Sequence, residues 1–307
     1  MDILSDTLAA LRTGHPGAVR TQARAPWGLW FRPIAGAGFH VVVEGQCFLV
    51  PPSDGEPVRL GPGDVVFLRR GSGHTLCDDP ASTRIEFVPD RVDTTSPIGS
   101  IDVPGTGPAT VLLCGAYQLD VKRPHPFLTS LPDVIHLPAG PGRHPALRAA
   151  TDQLCAEVRE PRQGSDSVVA TLIDLLLLYI LRSWYDDQPR PQTLGWAAAL
   201  TDPLLAPALK AMHEAPAQPW TVESLASRAG LSRAAFARRF TTVVGDPPLT
   251  YLTTWRMTMA ARLLRESDEP LSSVAERTGY ASEYAFAKAF KRHYDSAPGA
   301  YRKTFRV

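Results

Sequence analysis

The stretch that decides the fold is Glu223-Ser-Leu-Ala-Ser-Arg-Ala-Gly-Leu-Ser-Arg-Ala-Ala-Phe-Ala-Arg-Arg-Phe240, because the chain repeats it. The second copy reads Ser272-Ser-Val-Ala-Glu-Arg-Thr-Gly-Tyr-Ala-Ser-Glu-Tyr-Ala-Phe-Ala-Lys-Ala-Phe290. Ala226 and Gly230 recur as Ala275 and Gly279, and Phe236, Phe240, Pro248 and Tyr251 recur as Phe286, Phe290, Pro298 and Tyr301. An internal repeat of this kind means two copies of one supersecondary unit. In each copy a small residue lets two helices approach, a glycine relieves the backbone at the turn, and a second helix follows. That is a helix-turn-helix unit, present twice, and it points to DNA.

The second helix of each copy is the expected reader. Phe236 and Phe240, like Phe286 and Phe290, share one face at i,i+4 spacing and belong in a core. Ser232, Arg233, Ala234, Ala237 and Arg238 then face outward in the first copy; Ser282, Glu283, Tyr284, Ala287 and Lys288 do so in the second. Arg238 and Lys288 hold equivalent places and suit guanine O6/N7 in a major groove. Arg239, Lys291 and Arg292 are expected on phosphates, which fix position without reading sequence. Between the copies, Leu249–Glu266 reads as one helix, roughly 27 Å long, able to space two readers near the ~34 Å that separates successive major-groove faces.

These residues carry a family resemblance. The two repeats, Trp255-Arg-Met-x-x-Ala-x-x-Leu-Leu264 and the closing Ala297-Pro-Gly-Ala-Tyr-Arg302 resemble the AraC/XylS transcription regulators over about residues 204–303. The resemblance implies a sequence-specific regulator bound to double-stranded promoter DNA, with RNA polymerase as a further partner. It also implies an N-terminal domain, often cupin-like, that senses a signal and supports a homodimer.

Charge distribution agrees with that division. From Leu200 onward there are 15 Lys+Arg against 10 Asp+Glu, and before it 17 against 21. A basic C-terminal third after an acidic front fits one domain that meets phosphate and one that does not. The start, Met1-Asp-Ile-Leu-Ser-Asp, is acidic and lacks a long apolar core, so no signal peptide is expected. The most apolar run, Val168–Trp184, is short for a membrane helix and contains Asp174 and Arg182. Four scattered cysteines without CxxC spacing suit reduced thiols. The expectation is a cytoplasmic protein with no membrane contact.

The front half reads as short strands between Gly/Pro turns: Trp27–Phe31, Phe39–Val43, Cys47–Val50, Val65–Leu68, Arg84–Val88, Ala109–Gly115 and Asp133–Leu137. Such spacing predicts a barrel or jelly roll. Gly61-Pro-Gly-Asp64 leading to Gly71-Ser-Gly-His74, with His40-x-x-x-Glu44-Gly45, resembles the two cupin motifs over residues 20–140. Gly38 stands where the first motif has its leading histidine, and Arg69 where the second has proline. Cys114-Gly-Ala-Tyr117, His125-Pro and Leu131-Pro resemble one cupin-type subgroup. A short helix is expected at residues 2–12. Helices at Leu147–Glu160 and Ser165–Tyr185 form either a dimerisation hairpin or a pair buried within one chain.

The expected fold class is therefore α+β in two domains. A cupin-like β-barrel or jelly roll with a helical hairpin precedes an all-α domain with two helix-turn-helix motifs. The segments are a sensor at 1–143, a hairpin at 144–187, a linker at 188–203 and a DNA-binding domain at 204–307.

Three effector chemistries compete in the sensor. Trp27, Trp30, Phe39 and Phe67 can line a small-molecule cavity or be plain core. His40 and Glu44 share strand parity, and with His74 they can form a two-His-one-carboxylate metal set. Cys77, near His74, Arg69 and Arg70, can be a low-pKa redox thiol with Cys47 on a neighbouring strand. No cofactor and no catalytic residue is assigned. The main reading is a transcription regulator; the alternative is a metal-binding or enzymatic cupin fused to a DNA-binding module.

Overall fold

A run of strands gives way to a run of helices, the order the residue pattern predicts. The structure is a computed structural model and describes residues 3–14, 16–34, 36–52, 55–88, 99–119, 125–188 and 195–305. It opens with α1 (Ile3–Leu11), then β1 (Gly17–Arg24), β2 (Gly28–Phe31), β3 (Ala37–Glu44), β4 (Cys47–Val50), β5 (Val58–Leu60), β6 (Val65–Leu68) and β7 (His74–Cys77). Next come β8 (Ile85–Glu86), β9 (Gly99–Val103), β10 (Ala109–Tyr117), α2 (Pro126–Thr129), β11 (Val134–Leu137), α3 (Pro145–Arg159) and α4 (Ser165–Asp187). The rest is helical: α5 (Trp196–Thr201), α6 (Ala206–Glu214), α7 (Val222–Arg228), α8 (Arg233–Val244), α9 (Pro248–Glu266), α10 (Leu271–Arg277), α11 (Glu283–Tyr294) and α12 (Pro298–Thr304).

These elements form two compact units, and the units interleave along the sequence. One comprises Gly14–Leu119 and Pro132–Asp187; the other Met1–Thr13, Asp120–Leu131 and Gln188–Val307. Two short pieces of the front half, α1 and α2, thus pack with the C-terminal helices. The expected linker at 188–203 is partly α5, and its residues 189–194 lie outside the described residues.

The first unit is a two-sheet jelly roll. One sheet runs β11-β6-β3-β10-β1-β9 and the other β5-β4-β7-β2-β8. Its core, between the sheets, is built from Ala23, Trp27, Leu29, Phe31, Val42, Cys47, Leu49, Leu60, Val66, Leu68, Leu76, Leu112 and Cys114. β3 is buried on both faces up to Glu44, as a strand covered by a second layer must be. Phe39 and Phe67 lie against Tyr117 with their rings tilted to it, on the outer face of this sheet, and the Tyr117 hydroxyl donates to the Ile173 carbonyl of α4 at 2.8 Å. The hairpin α3/α4 therefore covers this sheet. α4 is one helix long and apolar enough to cross a membrane, 23 residues with mean hydropathy 1.6 over its most apolar window. It outruns the apolar run read from sequence at both ends, and its Val169, Ile173, Leu176, Leu177, Ile180 and Leu181 are buried in a unit where it packs on α3 and β11.

β1, β5, β7 and β9 carry weak strand signals and escape the sequence pattern. β1 mixes arginines with alanines, and β7 follows a Gly-Ser-Gly turn; tertiary pairing, not propensity, makes them strands. β8 is shorter than expected.

The second unit holds both repeats. α7–turn–α8 and α10–turn–α11 are the two helix-turn-helix units, and α9 runs from the first to the second. The second copy has its own core of Met257, Ala260, Ala261, Leu264, Val274, Ala275, Phe286, Ala289, Phe290 and Tyr294. α1 lies on α9, where the Arg265 guanidinium donates to the carbonyls of Ala10 and Arg12 at 2.9 and 2.7 Å and to the Tyr301 hydroxyl at 2.8 Å. A cation on the last carbonyls of a helix complements its dipole.

Candidate nucleic-acid interface

Each turn before a reader is built in the same way. α7 ends with Gly230 at φ +64°, the Leu231 N–H bonding the Ala226 carbonyl at 3.0 Å and the Gly230 N–H the Ser227 carbonyl at 3.2 Å. α10 ends with Gly279 at φ +78°, with Tyr280 to Ala275 at 2.9 Å and Gly279 to Glu276 at 3.0 Å. This double bond pattern around a left-handed residue stops a helix and satisfies its last carbonyls. A side chain at 279 would also meet the Ala217 carbonyl and the Arg256 guanidinium, each 2.8 Å from its Cβ.

Serine then starts each reader. Ser232 Oγ accepts from Ala235 N–H at 3.3 Å, and Ser282 Oγ from Ala285 N–H at 3.2 Å. Both serines are N-caps, which relieve an unpaired helix donor. Phe236, Phe240, Phe286 and Phe290 are fully buried. Opposite them Arg233, Ala234 and Arg238 are exposed on α8, as are Glu283, Tyr284 and Lys288 on α11; Ala237 and Ala287 are half-buried. Tyr284 is 80% exposed, a large aromatic ring held in water. Lys291 and Arg292 are exposed at the last turn of α11.

Arg239, expected on phosphate, is held by a carboxylate of the chain itself. Its guanidinium donates to Asp202 Oδ2 at 3.0 and 2.6 Å, and Asp202 Oδ1 accepts from the N–H groups of Leu204 and Leu205 at 2.9 and 3.1 Å. These bonds hold the Asp202 carboxyl below its ordinary pKa although desolvation opposes them. Arg239 thus clamps α8 to the turn before α6. The sequence pattern gives no signal for this partner, since Asp202 lies outside the repeat.

The effector candidates separate in the jelly roll. His40 and His74 meet between the sheets with Nε2 atoms 2.6 Å apart, and the His74 ring stacks on Phe31 at 4.9 Å. His74 Nδ1 lies 2.8 Å from the Ser72 carbonyl, so it carries the proton, and its Nε2 accepts from His40. His40 Nδ1 is left buried without a partner. Burial pushes His40 well below its usual value and His74 down to about 4.

Glu44 is not with them. It is exposed and paired to Arg159 at 2.9 Å. β10 pairs Leu112 with Val42 but Val111 with Glu44, so Val43 is an extra residue and the parity that should align Glu44 with His40 is broken. Among the described residues no three His, Cys, Asp or Glu side chains cluster as metal ligands.

The aromatic and thiol expectations also change. Trp27 lies in the core between the sheets, whereas Trp30 is 38% exposed and Phe39 and Phe67 face the hairpin side. All four cysteines are buried and free. Burial pushes Cys77 up to about 11 and outweighs Arg84, the cation that lowers it; Cys47 is raised too, by burial first and then by Cys114 and Cys77. The low-pKa thiol expected beside His74 is absent, because desolvation of the thiolate exceeds the neighbouring charge. Cys47 faces the core while Cys77 alternates with the core residue Leu76 on its strand.

Residues 2–186 match the profile of the family described as Cupin, and residues 225–304 that of the family described as Helix-turn-helix domain. A putative AraC-like transcription regulator of Streptomyces antibioticus is 36% identical over 99% of both chains. The chain belongs to the AraC-type transcription regulators. A second such protein, from Streptomyces lividans, is 33% identical over 99% of this chain and 98% of its own. A solved DNA-binding domain of AdpA, in complex with a target DNA, is 41% identical and covers 34% of this chain and 94% of its own, with TM-score 0.32. This AraC-type chain is a sequence-specific DNA-binding regulator with a cupin-like N-terminal part.

The histidine pair predicts an acid response. Below about pH 6.5 the unfolded chain takes up protons that the buried rings refuse, so stability falls as pH drops towards 4. Replacing His74 by leucine should reduce the stability lost between about pH 7 and about pH 5 by roughly 2 kcal/mol, read from urea unfolding, and replacing His40 should act in the same direction. An unchanged acid slope would mean that the rings are not held neutral.

Proposed function

We propose that α8 and α11 are unequal base-reading helices of a homodimeric regulator that binds promoter DNA in the cytoplasm. One observation carries this: equivalent positions 238 and 288 place a cation on the exposed face while the two phenylalanines of the same helix are fully buried. Arg233, Ala234, Ala237 and Arg238 read one groove; Glu283, Tyr284, Ala287 and Lys288 read the next. Lys291 and Arg292 grip phosphate, whereas Arg239 acts by fixing α8 through Asp202. RNA polymerase is the further partner through which promoter binding becomes regulation.

In this proposal the N-terminal unit is a sensor and dimer module, not an enzyme. The neutral His40–His74 pair in an apolar interior supports a small-molecule effector, and the raised thiols favour that over thiolate chemistry. The dimer reading rests on α4, where Val168 is 42% exposed and Leu172, Leu175 and Tyr179 are half-exposed on the same helical face. A second copy of that stripe is its natural cover.

Arg238→Ala and Lys288→Ala should each cost roughly 1–3 kcal/mol of specific binding, confined to particular base pairs. A uniform loss on all sequences, with a shallower salt dependence, would make the residue a phosphate contact instead. Loss from neither would remove these helices as readers.

Leu175→Glu should convert the dimer to monomer in sedimentation. A dimer that persists would place the subunit contact elsewhere.

A further inference from the structure

The first reader's core contains a segment that does not come from the C-terminal third. His125–Leu131 leaves the jelly roll after β10 and returns to it at β11, yet belongs to the DNA-binding unit. Its residues His125, Phe127, Leu128 and Leu131 are buried. The His125 ring stands edge-on to Trp196, Tyr251 and Trp255, at 5.7, 5.4 and 6.1 Å. Phe127 meets Trp196 at 5.2 Å. His125 Nδ1 accepts from the Phe127 N–H at 3.2 Å, so the neutral ring carries its proton on Nε2, which is buried without a partner among those rings.

From this socket, packed contacts lead to the reader. Trp196 Nε1–H donates to the Tyr251 hydroxyl at 2.9 Å, and that hydroxyl bonds His213 Nε2 at 2.7 Å. The Tyr251 ring lies 5.7 Å from Phe240, one of the two rings that orient α8. The Gly195 N–H bonds the Val243 carbonyl of α8 at 2.9 Å, and a Cβ at 195 would lie 3.6 Å from Ser130 Cβ at the end of α2. The socket is thus bounded by α5 and α9, and both bear on α8. Among the described residues the buried core of the second reader is built from α9 to α11, and the front-half segment on that side, α1, lies on α9 through the Arg265 bonds.

We propose that His125–Leu131 is a plug through which the N-terminal unit sets the state of the first reader. Seated, it completes the core that holds α5, α9 and α8 in the reading arrangement. Withdrawn by movement of β10 and β11, to which it is joined in sequence, it frees α8 while α11 stays folded. Two packings of a bounded core are the kind of element that can carry coupling between sites. The proposal rests on α8 being a reader, but its primary test does not.

Hydrogen exchange of the full chain decides it. Phe127→Ala should make α5 and α8 amides exchange at least about tenfold faster while α10 and α11 keep the wild-type rate. Unchanged α8 exchange, or equal acceleration of α8 and α11, overturns the plug. Should that variant fail to fold, Ser130→Cys with Gly195→Cys serves, since the Cβ spacing suits a disulfide. Gly195 has φ +97°, and any strain there is common to both redox states. The oxidised form should protect α8 relative to the reduced form; equal protection overturns the proposal. DNA recovered by selection with the wild-type chain then separates the two readings. Failure of the wild-type chain to bind DNA sinks the reader assignment, and the exchange result still stands or falls on its own.

Discussion

Two phenylalanine rings one helical turn apart orient each reader, and most of the DNA-facing surface follows from their burial. Once Phe236 and Phe240 are inside, the geometry of a 3.6-residue helix leaves Arg233, Ala234 and Arg238 outside. The same constraint with Phe286 and Phe290 turns out Glu283, Tyr284 and Lys288. Burying an aromatic ring stabilises by several kcal/mol on a transfer basis, at about 25 cal/mol per Å². The glycine turns and serine caps then fix where each reader begins, so two copies of one local recipe give two surfaces of unlike chemistry.

The repeat and its faces were legible because they depend on local spacing. Gly230 and Gly279 both sit at positive φ, and Ser232 and Ser282 both start a helix. Much of the jelly roll was legible for the same reason: Cys47–Val50 and Val65–Leu68 are strands over those residues. What sequence could not supply is anything that depends on a distant partner. Asp202 claims Arg239 across 37 residues, and Arg159 at the end of α3 claims Glu44 at the end of β3. One extra residue, Val43, undoes the parity argument that placed Glu44 beside His40. Only the meeting of His40 with His74, from different sheets, survives from the proposed metal set.

Burial also reverses chemistry that proximity in sequence suggests. Cys77 stands near basic residues, yet desolvation dominates and its thiol stays protonated. The histidine pair is kept neutral by the same effect. The space around the histidine pair is therefore walled by apolar groups such as Phe31 and holds neutral rings, a different starting point for sensing from the ionised groups that the sequence invites. The interleaving of α1 and α2 with the C-terminal helices has a similar origin: amphipathic segments go where apolar surface is open, irrespective of the boundary drawn along the chain.

Selection of double-stranded DNA from a random pool by the full chain tests the central claim most directly. Two readers of unequal surface on one connecting helix should enrich two unlike sequence elements, their centres about one helical turn, roughly 10 base pairs, apart. Enrichment of a single short element, of two identical elements, or of none would contradict the account.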